Sequence, residues 1–176
     1  MTPALWLVGY GAWPAPKRME RLKACLVESE IVRLVDVRIG PCASDLEPGR
    51  PYGPKAWNLQ EPGQGIAREL ESAGIAYEWL VELGNPQRQD PEMRILRAHL
   101  ADPSESWPVH RGLARLEAIV RGTDGRVAIL CACDDGSRCH RTVVARALAE
   151  RRFGGRLELH ELSPPPRSRS GQSAKA

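Results

Sequence analysis

Apolar residues fall in short runs, separated by stretches in which they recur every three or four positions. Ala4–Gly9 (ALWLVG) is a compact apolar run closed by glycine, the pattern of a buried parallel strand. Between Pro16 and Glu30, Met19, Leu22, Leu26 and Val27 share one helical face. Ile31–Val37 is rich in β-branched residues and predicts a second strand. A helix is predicted over Gln64–Ala73, ended by Gly74, and a third strand over Ile75–Val81. Two more helices are predicted over Glu92–Leu100 and Leu113–Arg121. Asp90-Pro91 opens the first of them with N-cap and first-turn residue types. Arg126–Cys131 (RVAILC) reads as a fully buried strand. His140–Arg152 follows as a helix with Val143, Val144, Ala147 and Leu148 inward, and Leu157–Leu159 adds a short last strand. The repeated strand-then-helix order predicts a single α/β domain, its mainly parallel sheet flanked by helices in Rossmann-like layers.

Two segments depart from this order. Ile39–Gly65 carries five prolines and five glycines and no convincing element. A loop of that length is either a functional lid or binding loop or a plain surface excursion. From Ser163 to Ala176 no apolar periodicity remains, so the domain is expected to span residues 1–162, with 163–176 a disordered basic tail. The net charge of +3 belongs to that tail: Arg167, Arg169 and Lys175 lie there without an acidic residue. The body is left with 22 basic residues against 22 acidic ones. A neutral body gives nucleic-acid binding only weak support. No run of about 18 apolar residues exists to span a membrane, and the first residues lack the basic start of a signal peptide. Five cysteines, an odd number, fit reduced thiols and a cytoplasmic location.

Ligands of open α/β sheets bind beyond the carboxyl ends of the strands. Those ends are where polar and reactive residues concentrate here: Gly9-Tyr10-Gly11, Asp36-Val37-Arg38, Glu82-Leu83-Gly84, and the stretch from Cys131 through Cys139-His140-Arg141. Asp36 and Arg38 stand two apart on a strand and share a face. They form either a structural ion pair or a site, with Arg38 clamping a phosphate or carboxylate and Asp36 orienting it or acting as a base. Cys139, His140 and Arg141 sit where a loop enters a helix, a position that favours an anion and stabilises a thiolate. Cys139 is therefore expected to be the most reactive of the thiols, with Cys25 and Cys131 buried. Trp6 and Trp79 are expected in the core. Trp13, Trp57 and Trp107 lie in or beside loops.

Sharper motifs fit less well. Cys133 and Arg138 have the C-x4-R spacing of a rhodanese-type loop. Cys131, Cys133, Cys139 and His140 are zinc-ligand types, but C-x-C-x5-C-H is not a common zinc module, and neighbouring Cys and His seldom reach one ion. No metal is expected on that ground. A c-type haem needs a cysteine where Gly136 stands.

Taken together, Val8-Gly9-Tyr10-Gly11, Leu34-Val35-Asp36-Val37-Arg38 with Pro41, Gly74-Ile75-x-Tyr77 leading to Glu82-Leu83-Gly84, and Leu130-Cys131 with Cys139-His140-Arg141 resemble the bacterial and archaeal domain of unknown function 488. Cys133 stands where that family often has glutamate, and its Pro-x-Ser-Arg stretch appears only as Pro41-Cys-Ala-Ser44-Asp45. The resemblance implies a single α/β domain and no established reaction. The leading expectation is an enzyme that binds a phosphorylated or nucleotide-like anion above the strand ends. Gly9, Tyr10, Arg38 and Arg141 are its candidate binding residues, and Asp36, Cys139 and His140 the candidates for chemistry. A non-catalytic nucleotide or nucleic-acid binding module and a cysteine-based redox or metal protein are the alternatives. No cofactor is named by the residues.

Overall fold

The structure is a computed structural model and describes residues 2–11, 13, 18–38, 65–86, 90–133 and 135–162. The segment 39–64 and the tail 163–176, with the readings placed on them and on Trp57, lie outside the described residues.

Among the described residues, five strands form one sheet: β1 (Ala4–Gly9), β2 (Ile31–Asp36), β3 (Ala76–Trp79), β4 (Arg126–Cys131) and β5 (Glu158–Leu162). Their order is β3-β2-β4-β1-β5, and every pairing is parallel. The helices are α1 (Arg18–Glu28), α2 (Gly65–Glu71), α3 (Arg94–Ala101), α4 (Pro108–Gly122) and α5 (His140–Phe153). They cover both faces, which is why the central strands read as continuous apolar runs. On one face Leu5, Leu7, Val35, Val127 and Ile129 pack with Leu96, Leu113, Val144 and Leu148 of α3, α4 and α5. On the other, Val8, Leu34, Ala128 and Leu130 pack with Leu22 and Leu26 of α1 and Ile66 and Leu70 of α2. Each such leucine, withdrawn fully from water, contributes about 1.5–3 kcal/mol before entropy is counted. No helix among the described residues is long and apolar enough to cross a membrane.

Several boundaries differ from the sequence pattern for local reasons. β3 stops at Trp79 because Val81–Leu83 folds into a tight 3-10 turn. α3 begins at Arg94, since Met93 takes a left-handed φ of 54°. Asp90 still serves as the cap from upstream, accepting from the amides of Arg94 and Ile95. α4 starts at Pro108, its proline in the first turn, after Trp107 has stacked on His99 at 3.7 Å. Trp6 and Trp79 are half-buried rather than core residues, Trp6 lying against His160 at 5.1 Å, whereas Trp13 is buried on the α1 side.

The topology positions the site. β1 and β4 are neighbours, with Gly9 opposite Cys131. β1 sends the chain to α1 on one face, and β4 sends it to α5 on the other. Their loops part above the carboxyl ends of the sheet, where a ligand crevice is expected.

Candidate functional site

The end of β2 carries a closed polar cluster. Asp36 is fully buried and Arg38 is 4% exposed. Arg38 Nε donates to both carboxylate oxygens of Asp36, at 2.9 and 3.0 Å, and the Arg38 amide donates to Oδ1 at 3.0 Å. Arg38 Nη1 donates to the Tyr10 hydroxyl at 2.6 Å, and the Tyr77 hydroxyl donates to Asp36 Oδ2 at 2.8 Å. Burial, and then the charge of Asp36, push the Tyr77 phenol well above its ordinary range. Burial works against the Arg38 charge, but Asp36 outweighs it and holds the guanidinium firmly protonated. Two side chains at and just beyond the end of β2 meet one tyrosine that follows β1 and another within β3, and the charges satisfy each other there.

The end of β4 is built differently. After Cys131 the chain turns out through Cys133 and is folded back by short-range bonds. Asp135 accepts from the Ser137 amide at 2.8 Å and hydroxyl at 2.7 Å, and the Thr142 hydroxyl donates to the Gly136 carbonyl at 2.6 Å. Cys139 thereby arrives at the N-cap of α5, yet its side chain makes no capping bond. Instead the sulfurs of Cys131, Cys133 and Cys139 and a ring nitrogen of His140 all lie within 4.8 Å of one another. Cys131 Sγ donates to Cys133 Sγ at 3.4 Å and stands 3.4 Å from His140 Nδ1. Spacing in the sequence spoke against this convergence; the folded-back 3-10 turn at Gly136–Arg138 produces it.

His140 also fixes its own tautomer. Its Nε2 lies 2.8 Å from the Val37 carbonyl, which can only accept, so Nε2 keeps its hydrogen and it is Nδ1, once deprotonated, that presents a lone pair to the sulfurs. The two signature tripeptides, Asp36-Val37-Arg38 and Cys139-His140-Arg141, therefore meet through one backbone carbonyl. Val37 was not singled out by the sequence pattern because only its main chain takes part.

Arg141 closes the cluster from the β1 side. It is 2% exposed; Nη1 donates to the Cys133 carbonyl at 3.3 Å and Nη2 to Glu161 of β5 at 3.2 Å, while its buried Nε has no partner. Gly9 leaves room for it: a Cβ there would strike the Cys133 carbonyl and lie 2.5 Å from Arg141 Nη1. Burial opposes the charge of Arg141, but Cys139 and Glu161 more than offset it.

The thiols are unequal. Cys133 is half-exposed, whereas Cys131 and Cys139 are 1% exposed. Hydrogen bonds from the Cys131 and Cys139 thiols, with His140 behind them, hold Cys133 far below the usual thiol range. The bond to Cys133 pushes Cys131 up to about 12, and bonds to both other sulfurs push Cys139 up. Burial opposes charging of His140, but bonds to Cys133 and Cys139 outweigh it and raise its pKa to about 9. Helix position alone favours a thiolate at Cys139; burial and its neighbours transfer that character to Cys133. Cys25 is buried on α1, as expected of a core thiol.

Compared with known proteins, residues 54–148, more than half of the chain, match the sequence model of a family described as domain of unknown function DUF488. The matched stretch contains the whole cysteine–histidine cluster, while Gly9 and Asp36–Arg38 precede it. No curated protein and no solved structure matches the chain.

Proposed function

The chain belongs to the DUF488 family, whose description assigns no reaction, and we propose from the site itself that it is a metal-binding α/β protein. Its centre is a zinc ion held by Cys131, Cys133, Cys139 and His140. The observation that carries this reading is the convergence of four zinc-type donor atoms within 4.8 Å. Tetrahedral zinc with sulfur bonds near 2.3 Å has ligand–ligand edges of about 3.8 Å. The contacts of 3.4 Å and the outer limit of 4.8 Å bracket that edge. The His140–Val37 hydrogen bond supplies the outer support that metal-bound imidazoles generally have, a backbone acceptor fixing the ring and its tautomer. Three thiolates and an imidazole around Zn²⁺ carry one net negative charge, and Arg141 alongside is placed to balance it.

Four protein donors make a closed site of the structural class. Such an ion ties the end of β4 to the start of α5 and, through Val37, to the end of β2. Cys133, the half-exposed ligand, is the side from which solvent approaches the centre.

An anion clamp on Arg38 and Arg141 draws less support, because Arg38 is committed to Asp36 and Tyr10, and Arg141 to Glu161 and the Cys133 carbonyl. A thiol site is the second reading, with Cys133 as nucleophile and His140 beside it; the exposure of Cys133 favours it. Elemental analysis of the purified protein separates the two. The metal reading expects about one zinc per chain, lost in Cys131→Ser and Cys139→Ser. Metal-free protein that keeps its full stability would leave the thiol site.

A further inference from the structure

A concave groove of about 410 Å³ runs between α3 and α5 and reaches Ser137 and Thr142 at the start of α5. That volume lies in the range of small-molecule pockets. Its floor is apolar, formed by Leu100, Ala101, Val143 and Ala147. Three guanidinium groups line it, those of Arg97, Arg146 and Arg151, against one carboxylate, Glu150.

These three arginines share one groove, and no carboxylate among the described residues neutralises them. Several arginines elsewhere sit on carboxylates: Arg115 on Glu78 at 2.8 Å, Arg121 on Glu117 at 2.9 Å, Arg152 on Glu105 at 2.9 Å. Among the described residues, none of Arg97, Arg146 and Arg151 has such an ion pair within 4.0 Å. Two of them are instead anchored by neutral acceptors. Arg97 Nε donates to the Glu92 carbonyl at 3.1 Å, and Arg151 Nη1 to His110 Nδ1 at 3.3 Å. His110 is itself 2% exposed and fixed by a 2.8 Å bond from Nε2 to the His99 carbonyl. A neutral acceptor orients a guanidinium without cancelling its charge. The nearby hydroxyls do not compete as donors, since Ser137 gives its hydrogen to Asp135 and Thr142 to Gly136.

We infer that the groove between α3 and α5 binds a small phosphate monoester whose body carries an apolar or flat face. The guanidiniums take the phosphate by charge-assisted hydrogen bonds, strengthened by the low-dielectric floor, and the floor takes the body. The limited volume of the groove and the small number of arginines, one from α3 and two from α5, favour a small molecule over a polymer. The inference is independent of the metal centre, whose four ligands are not part of the groove lining.

The test is isothermal titration of the full chain with adenosine 5′-monophosphate, inorganic phosphate and adenosine. The monophosphate is expected to bind most tightly, phosphate more weakly and adenosine most weakly. Arg146→Ala should weaken monophosphate binding about tenfold or more without changing Tm, because Arg146 makes no ion pair among the described residues. Arg111→Ala, an exposed arginine of α4 outside the groove, should leave binding unchanged. Zinc content is expected to be the same in all three proteins, so failure here and failure of the metal reading are separate results. Absence of monophosphate binding at millimolar concentration would overturn the inference. So would equal loss in Arg111→Ala, equal affinities for phosphate and monophosphate, or tighter binding of a single-stranded RNA to the same arginines.

Discussion

The ends of β2 and β4 lie side by side in the sheet, yet they treat buried polar groups in opposite ways. At β2, a carboxylate meets a guanidinium and two phenols, hard donors matched to hard acceptors at 2.6–3.0 Å. At β4, three cysteine sulfurs and an imidazole nitrogen gather within 4.8 Å of one another, with no carboxylate or guanidinium among them. The first arrangement is complete as it stands, a frame. The second is a set of soft donors aimed at one point, which is what a thiophilic cation requires. Charge near a strand end is thus no guide to function by itself; whether the groups satisfy one another decides it.

The contrast breaks first at the cluster. Removing a ligand by Cys139→Ser, or the ion by a strong chelator, is expected to cost at least about 5 kcal/mol. That stays below the roughly 10–16 kcal/mol of zinc-finger peptides, because this domain retains its own core. Urea unfolding with and without chelator measures it, and coincident curves would count against the centre.

The frame should fail next. Asp36→Asn leaves the Arg38 charge buried without its partner, an expected loss of about 3–5 kcal/mol. Adding Arg38→Met removes the stranded charge and should recover most of it. The single variant is also expected to weaken zinc binding about tenfold, since Val37 between the pair orients His140. Unchanged metal affinity in Asp36→Asn would show that the two strand ends act separately.

How far the sequence reached follows from the same contrast. The strand-end residues were legible because strands that run apolar to their last turn leave polar types only at the tip. The shared face of Asp36 and Arg38 follows from the two-residue period of a strand. Their partners Tyr10, just past β1, and Tyr77, in β3, come from distant parts of the chain, and no local pattern pairs them. Cys139 and His140 were legible as helix-start residues. Their meeting with Cys131 and Cys133 depends on the turn that Asp135, Ser137 and Thr142 fold, which spacing does not encode. Arg97 and Arg151 gave no signal, because a buried His110 from α4 is what holds one of them.

A smaller effect is expected at the seam between the regions. Gly9→Ala sets a methyl group against the Cys133 carbonyl and Arg141, and should cost about 1–3 kcal/mol by overpacking. A thermal melt shows it, and an unchanged Tm would mean that the seam is loosely packed. Smallest of all in stability, limiting alkylation of zinc-free protein followed by mass mapping should label Cys133 ahead of Cys131 and Cys139, on exposure alone. Zinc should then protect it. Preferential labelling of Cys139 would mean that the turn at Gly136–Arg138 opens.

The most direct measurement is the electronic spectrum of the protein with cobalt(II) in place of zinc. Three cysteine sulfurs and one imidazole around cobalt in a tetrahedron give intense visible bands together with sulfur-to-metal charge transfer in the near ultraviolet. The charge-transfer intensity should fall in steps in Cys131→Ser, Cys133→Ser and Cys139→Ser. Weak bands of a six-coordinate ion, or a spectrum indifferent to these substitutions, would contradict a metal centre at the end of β4.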